Sequence, residues 1–297
     1  INANPAPSER ITAWHTKVQG LLGTPGTDPF AAMECPGVLV LGTVAAYPFG
    51  PASGARVDGF TIYGSLMGGG VYVYQNVTNL HIGNNRIQGN QGEYGGGIGA
   101  WQPDTAVSGN NAGLLIHDNY IVKNGGISGG GGIAIFNGCP NYVITNNYIV
   151  GNLSRNNGAG ICHYGLCANS KIANNQVAAN EVFYGVNVNG AGGGIYAGGE
   201  LVPGGASAGA GTLTIVNNLI QGNLAGGNNG GGIATERFNG QDVIGNPGAT
   251  GSWHALHILN NMIVNNVAGF GGGGISLQDA CRSFIVNNTI VNNDSTA

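Results

Sequence analysis

The sequence predicts an all-β chain wound as a right-handed parallel β-helix, a solenoid of about seven to eight coils with three strands per coil. Three observations predict it. A unit of the form Ile-x-Asn-Asn-x-Ile-x-x-Asn recurs seven times, and a glycine run ending in a β-branched residue alternates with it. Between these turns, apolar residues recur at i and i+2 in short runs, with no helical period.

The columns of the repeat are regular. The second Asn of each copy falls at Asn85, Asn119, Asn147, Asn175, Asn218, Asn261 and Asn288, and three residues earlier there is always an Ile, from Ile82 to Ile285. Two residues later comes Ile or Val, as at Ile149 and Val177, and five later Asn again, from Asn90 to Asn293. The glycine runs end at Val71, Ile98, Ile133, Ile161, Ile195, Ile233 and Ile275. Ile133 to Ile161 is 28 residues, which suits one turn of a solenoid. The Ile columns are then aliphatic stacks inside the tube. Asn suits the corners because it tolerates left-handed backbone, and stacked amides can hydrogen-bond from coil to coil. At roughly 4.8 Å per coil the rod is about 35–40 Å long.

In chain order, residues 1–56 lack the repeat and form an N-terminal cap or irregular first coil, with Pro36 to Gly42 its most strand-like part. Residues 57–297 are the solenoid. It opens with a degenerate copy holding Val57 and Ile62 in the apolar columns and Ser65 in the last. From a glycine-run terminus to the next Ile is 10 or 11 residues in four coils, but 18 from Ile98 to Ile116, 20 from Ile195 to Ile215 and 25 from Ile233 to Ile258. These three insertions share one corner and are expected on one flank of the rod. They carry Trp101, Asp104, Glu200, Glu236, Arg237, Asp242, Trp253 and His254. A fourth, around 181–190, leaves by another corner. The sequence stops where a further glycine run is due, so a continuation of the chain or another subunit is expected over that end.

Composition narrows the function classes. Of 297 residues, 58 are Gly and 39 Asn, but 42% are hydrophobic, enough for a continuous core rather than disorder. The glycines come in runs, which excludes the collagen period. A net charge of −4 with nine scattered Lys and Arg offers no footprint for nucleic acid. No apolar stretch is long enough for a membrane-spanning helix. The glycine runs lack the Lys-Ser/Thr ending of a phosphate loop, and the scattered His and Cys lack metal spacing, so no cofactor and no metal site is expected.

The Asn-Asn-x-Ile-x-x-Asn and Gly-Gly-Gly-Ile units of residues 57–297 resemble those of the pectate-lyase-like right-handed β-helix superfamily. They are most similar to bacterial surface and secreted β-helix repeat proteins. The resemblance implies the fold. It leaves function open among polysaccharide lyases, glycoside hydrolases and adhesins.

Within that range, Tyr72, Tyr74, Trp101, Phe136, Tyr164 and Tyr196 fall on outward positions of the strand after the glycine run, where aromatic rings could carry a sugar chain. In lyases of the superfamily the sugar lies across such a face. Cleavage also needs two positioned carboxylates, or a base with a cation beside it. Glu236 with Arg237 is the acid–base pair on offer, with Glu200 one coil away, and surface ion pairing explains it equally well. The superfamily's catalytic Arg and calcium-binding acids have no match here. His163 aligns with Ile135 and Leu277, so it should point inward as a structural His.

Cys139 and Cys167 each lie six residues after their Ile, and their stacking predicts a disulfide between adjacent coils and an oxidising compartment. Outward positions are apolar, among them Leu115, Val143, Tyr120, Tyr148, Val150, Leu219, Met262 and Val264. Such faces imply a protein partner, a sister domain or self-association. The leading expectation is a non-catalytic extracytoplasmic scaffold or adhesion module of a cell-surface or secreted assembly, with polysaccharide a possible ligand. The alternative is a polysaccharide lyase or hydrolase acting on a chain bound along the aromatic face.

Overall fold

The computed structural model describes residues 36–42, 54–74, 76–100, 111–183, 190–200, 207–240 and 247–297. The unit Pro36–Ala297 contains them all. It is a stack of coils whose short strands pair in parallel, in register, with their equivalents in the next coil. Four sheets result, of eight, eight, seven and eight strands.

One coil shows the plan. Val143–Thr145 belongs to the first sheet, Tyr148–Val150 to the second, Leu153–Ser154 to the third and Ile161–Tyr164 to the fourth. The expectation of three strands per coil is therefore corrected to four. The extra strand follows the last Asn of each repeat and often has only two residues. Its inward position holds Gly92, Gly126, Ser154, Val182, Ala225 or Ala268. That column is too short and too varied in polarity to announce a strand.

The Ile columns are the interior stacks. Ile144 pairs with Ile116 and Ile172, Ile149 with Ile121 and Val177, and Ile133 with Ile98 and Ile161. All are fully buried. Burying each such side chain stabilises the fold by about 1.5–3 kcal/mol. The first rung of the fourth sheet is Val38–Val40, which pairs with Val71–Val73, so the stacking begins within the expected cap. The last rung leaves Ile285 and Ile290 45% and 47% exposed.

The two Asn columns divide the labour of the corners. The residue before each ladder Asn takes the left-handed conformation, as at Asn146 (φ 56°) and Gly151 (φ 65°). The ladder Asn is buried and points its amide into the stack. The backbone N–H and Nδ2 of Asn147 both donate to Oδ1 of Asn175, at 2.9 and 3.0 Å, and Nδ2 also donates to the Ile116 carbonyl at 2.9 Å. Asn152 repeats this with Asn180 Oδ1 and the Ile121 carbonyl, all at 3.0 Å. Each amide thus joins three consecutive coils and leaves no buried donor without an acceptor.

The glycine run forms the corner into the fourth sheet because that corner has no room for Cβ. A Cβ on Gly132 would lie 2.6 Å from the Gly160 carbonyl oxygen and 2.9 Å from the Ile149 side chain. Two residues earlier the chain turns at Gly130 (φ 56°), against the outward methyl of Ala134. Equivalent glycines lie against Cys162, Tyr196 and Ala234. The corner therefore folds over the outer face of the fourth sheet.

Candidate functional site

The three sequence insertions all connect the fourth sheet to the first, between Ile98–Ala100 and Leu115–His117, Ile195–Gly198 and Leu213–Val216, and Ile233–Glu236 and Ala255–Leu259. Their shared corner is as the spacing predicts. Trp101, Asp104 and Asp242 lie outside the described residues. The described parts of the second and third insertions pack on each other. His254 Nε2 lies 2.8 Å from the Ala208 carbonyl, and Asn239 Oδ1 accepts from the His254 backbone N–H at 2.6 Å. Phe238 is fully buried among them.

Glu236 ends its strand at the base of this flank. Its Oε2 accepts a hydrogen bond from the Tyr196 hydroxyl at 3.1 Å and faces Arg237 Nη2 at 3.7 Å. Burial, then the Glu236 charge, push the Tyr196 phenol well above its ordinary range, so it stays a donor. Arg237 sits in left-handed backbone (φ 50°), and its Nε points at the Gly199 carbonyl, 3.4 Å away. Glu200 accepts from Asn137 Nδ2 at 2.7 Å. The structure thus brings Glu236, Arg237 and Tyr196 together, but each is engaged by a neighbour on the same rod.

The aromatic platform is corrected. Tyr72, Tyr74, Phe136 and Tyr196 are buried, and Tyr164 is part-exposed. Alternation along the strand does point these side chains away from the core, yet the glycine corners occupy the space above the strand. Tyr72 packs against Gly99 of the next strand, whose added Cβ would meet its ring at 2.9 Å, and Phe136 packs edge-on between Tyr94 and Tyr164. No open ring face remains at the four buried positions.

The disulfide is corrected as well. Cys139 and Cys167 stack in adjacent coils as expected, but both are free thiols, as are Cys162 and Cys281. Cys167 Sγ donates to the Phe136 carbonyl at 2.9 Å, and Cys139 Sγ is directed to the Ala100 carbonyl at 4.0 Å. Each sulfur is directed to a carbonyl of the coil before it, and the two thiols remain unbonded. Burial pushes the Cys162 thiol up to about 12 and holds Cys167 well above its ordinary value, so both stay protonated.

His163 points inward and is fully buried. Its Nδ1 lies 2.7 Å from the Tyr142 hydroxyl and its Nε2 2.8 Å from the Ala210 carbonyl. The carbonyl accepts, which assigns the proton to Nε2 and leaves Nδ1 to accept from Tyr142. Burial lowers the His163 pKa to about 4. The inward column exposes His163 to sequence reading; Tyr142 and Ala210 are missed because Tyr142 stands in a column of mixed residues, between Leu114 and Ser170, and Ala210 comes from an insertion.

Outside the corners, the outward columns carry side chains that stack along the rod axis. Tyr120 and Tyr148 have ring centroids 4.7 Å apart and planes within 4°, and His257 and Phe284 repeat this at 4.9 Å and 8°. Among the described residues no cluster of three or more His, Cys, Asp or Glu is arranged to hold a metal ion, and no helix is long and apolar enough to cross a membrane.

Fold and surface together define an all-β parallel solenoid with internal asparagine ladders and stacked outer side chains. No protein-family model, curated protein or solved structure matches this chain.

Proposed function

We propose that the chain is a non-catalytic scaffold or adhesion module, a right-handed β-helical rod belonging to an extracytoplasmic, cell-surface or secreted assembly. The handedness follows from the parallel crossover rule, which about 98% of such connections obey. The location rests on the likeness of its charge-poor Asn and Gly repeat to surface and secreted β-helix proteins of the pectate-lyase-like superfamily.

The observation that carries the reading is the stacking of outer aromatic rings on each other. Tyr120 and Tyr148, 4.7 Å apart and coplanar to 4°, use one face each on the other, and the Arg86 guanidinium lies over the Tyr120 ring. Sugar rings bind to aromatic faces, so this surface favours contact with protein over a sliding polysaccharide. The lateral order of a rod held by two amide ladders then serves to present such a surface at fixed spacing.

The second reading, a polysaccharide lyase or hydrolase, draws on one feature: Glu236, Tyr196 and Arg237 form a connected polar group at the flank where the insertions emerge. Incubating the purified chain with uronate and neutral polysaccharides separates the two. The scaffold reading expects neither new reducing ends nor unsaturated uronates. Turnover that Glu236→Gln abolishes would overturn it in favour of the enzyme.

A further inference from the structure

We infer that His81 and His117, on the outer face of the first sheet, form a two-imidazole site for a divalent transition-metal ion, zinc or copper, with Asp118 orienting His117. The inference goes beyond the scaffold reading and does not depend on it.

The two histidines come from adjacent coils. His81–Gly83 pairs in parallel with Leu115–His117, in the register His81 with Leu115 and Gly83 with His117. Ile82 and Ile116 fill the core, so alternation turns His81 and His117 outward as diagonal neighbours on one face. Glycine at position 83 permits their approach. The His117 ring lies over it: a Cβ there would meet Cε1 at 2.5 Å and Nε2 at 2.6 Å. The Nε2 edge thus rests on the strand that carries His81, and the two ring centroids are 5.8 Å apart with planes at 89°.

A neighbour sets the tautomer. His117 Nδ1 lies 2.8 Å from Asp118 Oδ2. The carboxylate accepts, so the imidazole proton sits on Nδ1 and the Nε2 lone pair is left for a ligand. Metal-binding histidines share this arrangement, in which a carboxylate on the far nitrogen fixes tautomer and ring orientation. His81 is exposed, so its ring has room to turn a nitrogen to the same point.

Distance decides whether one ion reaches both rings. Zn–N bonds of about 2.0–2.1 Å at a tetrahedral angle hold two imidazole centroids about 5 Å apart. The observed 5.8 Å asks for a shift of about 1 Å at an exposed side chain. Charge favours a cation as well. Arg56 stands beside His81 in the preceding coil, Asp58 on the same strand balances it, and Asp118 remains in excess. Imidazole suits zinc and copper, whereas calcium and magnesium take oxygen ligands, and two protein ligands leave the remaining positions to water. Spacing in the sequence hides the pair, because only the register of neighbouring coils brings it together.

The test titrates zinc chloride into the full chain, with Cys35 and Cys281 changed to Ser to remove competing thiols, and reads binding by calorimetry. A site for one ion per chain is expected. His81→Ala and His117→Ala should each abolish it, and Asp118→Ala should weaken it about 10–100-fold. His257→Ala should leave it unchanged, since His257 is a single outward His of the same sheet stacked on Phe284. Circular dichroism checks that each variant is folded. As an independent readout, the copper-loaded chain should show electron paramagnetic coupling to two imidazole nitrogens, and either His81→Ala or His117→Ala should reduce it to one. No zinc binding at millimolar concentration, binding that survives both His81→Ala and His117→Ala, or equal loss in His257→Ala would overturn the site. None of these results touches the scaffold reading, which fails on polysaccharide turnover instead.

Discussion

Ala179 and Lys123 occupy corner positions that other coils give to Gly or Asn. Both adopt left-handed backbone, with φ of 51° and 53°. For a residue with a Cβ that conformation costs about 1 kcal/mol or more, which glycine avoids. Ala179 is exposed, so no packing is lost on removing its methyl. Ala179→Gly is expected to raise stability by about 1 kcal/mol in urea denaturation. His163 carries the opposite kind of strain. Its pKa is about 4 in the fold against 6.5 for a free His, so below pH 6.5 the unfolded chain takes up a proton that the folded chain refuses. Stability therefore falls as pH drops from about 6.5 to 4, by about 3 kcal/mol in total, and is flat for this group above 7. Replacing His163 with Gln should remove that acid slope, whatever it does to stability at pH 7, when unfolding is measured at both ends of the window.

At the scale of one coil, the asparagine corner is the most sensitive element. Asn152→Ala removes the acceptor for the backbone N–H of Asn124 and for its Nδ2, and the donor to the Ile121 carbonyl, all buried. Each stranded buried group costs about 1–3 kcal/mol, so a loss of roughly 4 kcal/mol is expected. Ile149→Val, one methylene from the neighbouring stack, should cost only about 1 kcal/mol. Chemical denaturation of the two variants ranks them; a smaller loss for Asn152→Ala would mean that water replaces the amide. The third-sheet strand is the contrasting element. It passes unseen in the sequence because its inward residue varies from Gly126 to Ser154 to Val182, and its order comes from backbone pairing with the coils on either side.

Across the whole unit, each coil touches only its neighbours, so stability is close to a sum of coil and interface terms. Asn152 and Asn180 have ladder partners on both sides, while Asn293 closes its ladder by donating to the Ile263 and Val291 carbonyls. Amide exchange read by mass spectrometry is expected to show slow exchange in 133–182 and faster exchange in 282–297 of this chain. Uniform protection along the rod would contradict the nearest-neighbour account.

What the sequence by itself determined is everything that repeats: the parallel stacking, the register of the three Ile columns, the two Asn ladders, the glycine corners, the inward His163 and the shared corner of the insertions. Repetition makes these legible because a column of identical residues admits one alignment, and in a parallel stack that alignment is the register. Only the tertiary structure decided what happens where columns do not repeat. The glycine corners fold over the fourth sheet against Phe136 and Tyr196, and Tyr72 and Tyr74 are buried as well, since what lies above a strand leaves no trace in the strand's alternation. Cys139 and Cys167 share a column but not a bond, because each thiol is directed to a backbone carbonyl of the coil before it, a partner that the column does not reveal. Glu236 finds Tyr196 through a contact between coils 40 residues apart, a pairing set by side-chain reach rather than by any pattern in the chain.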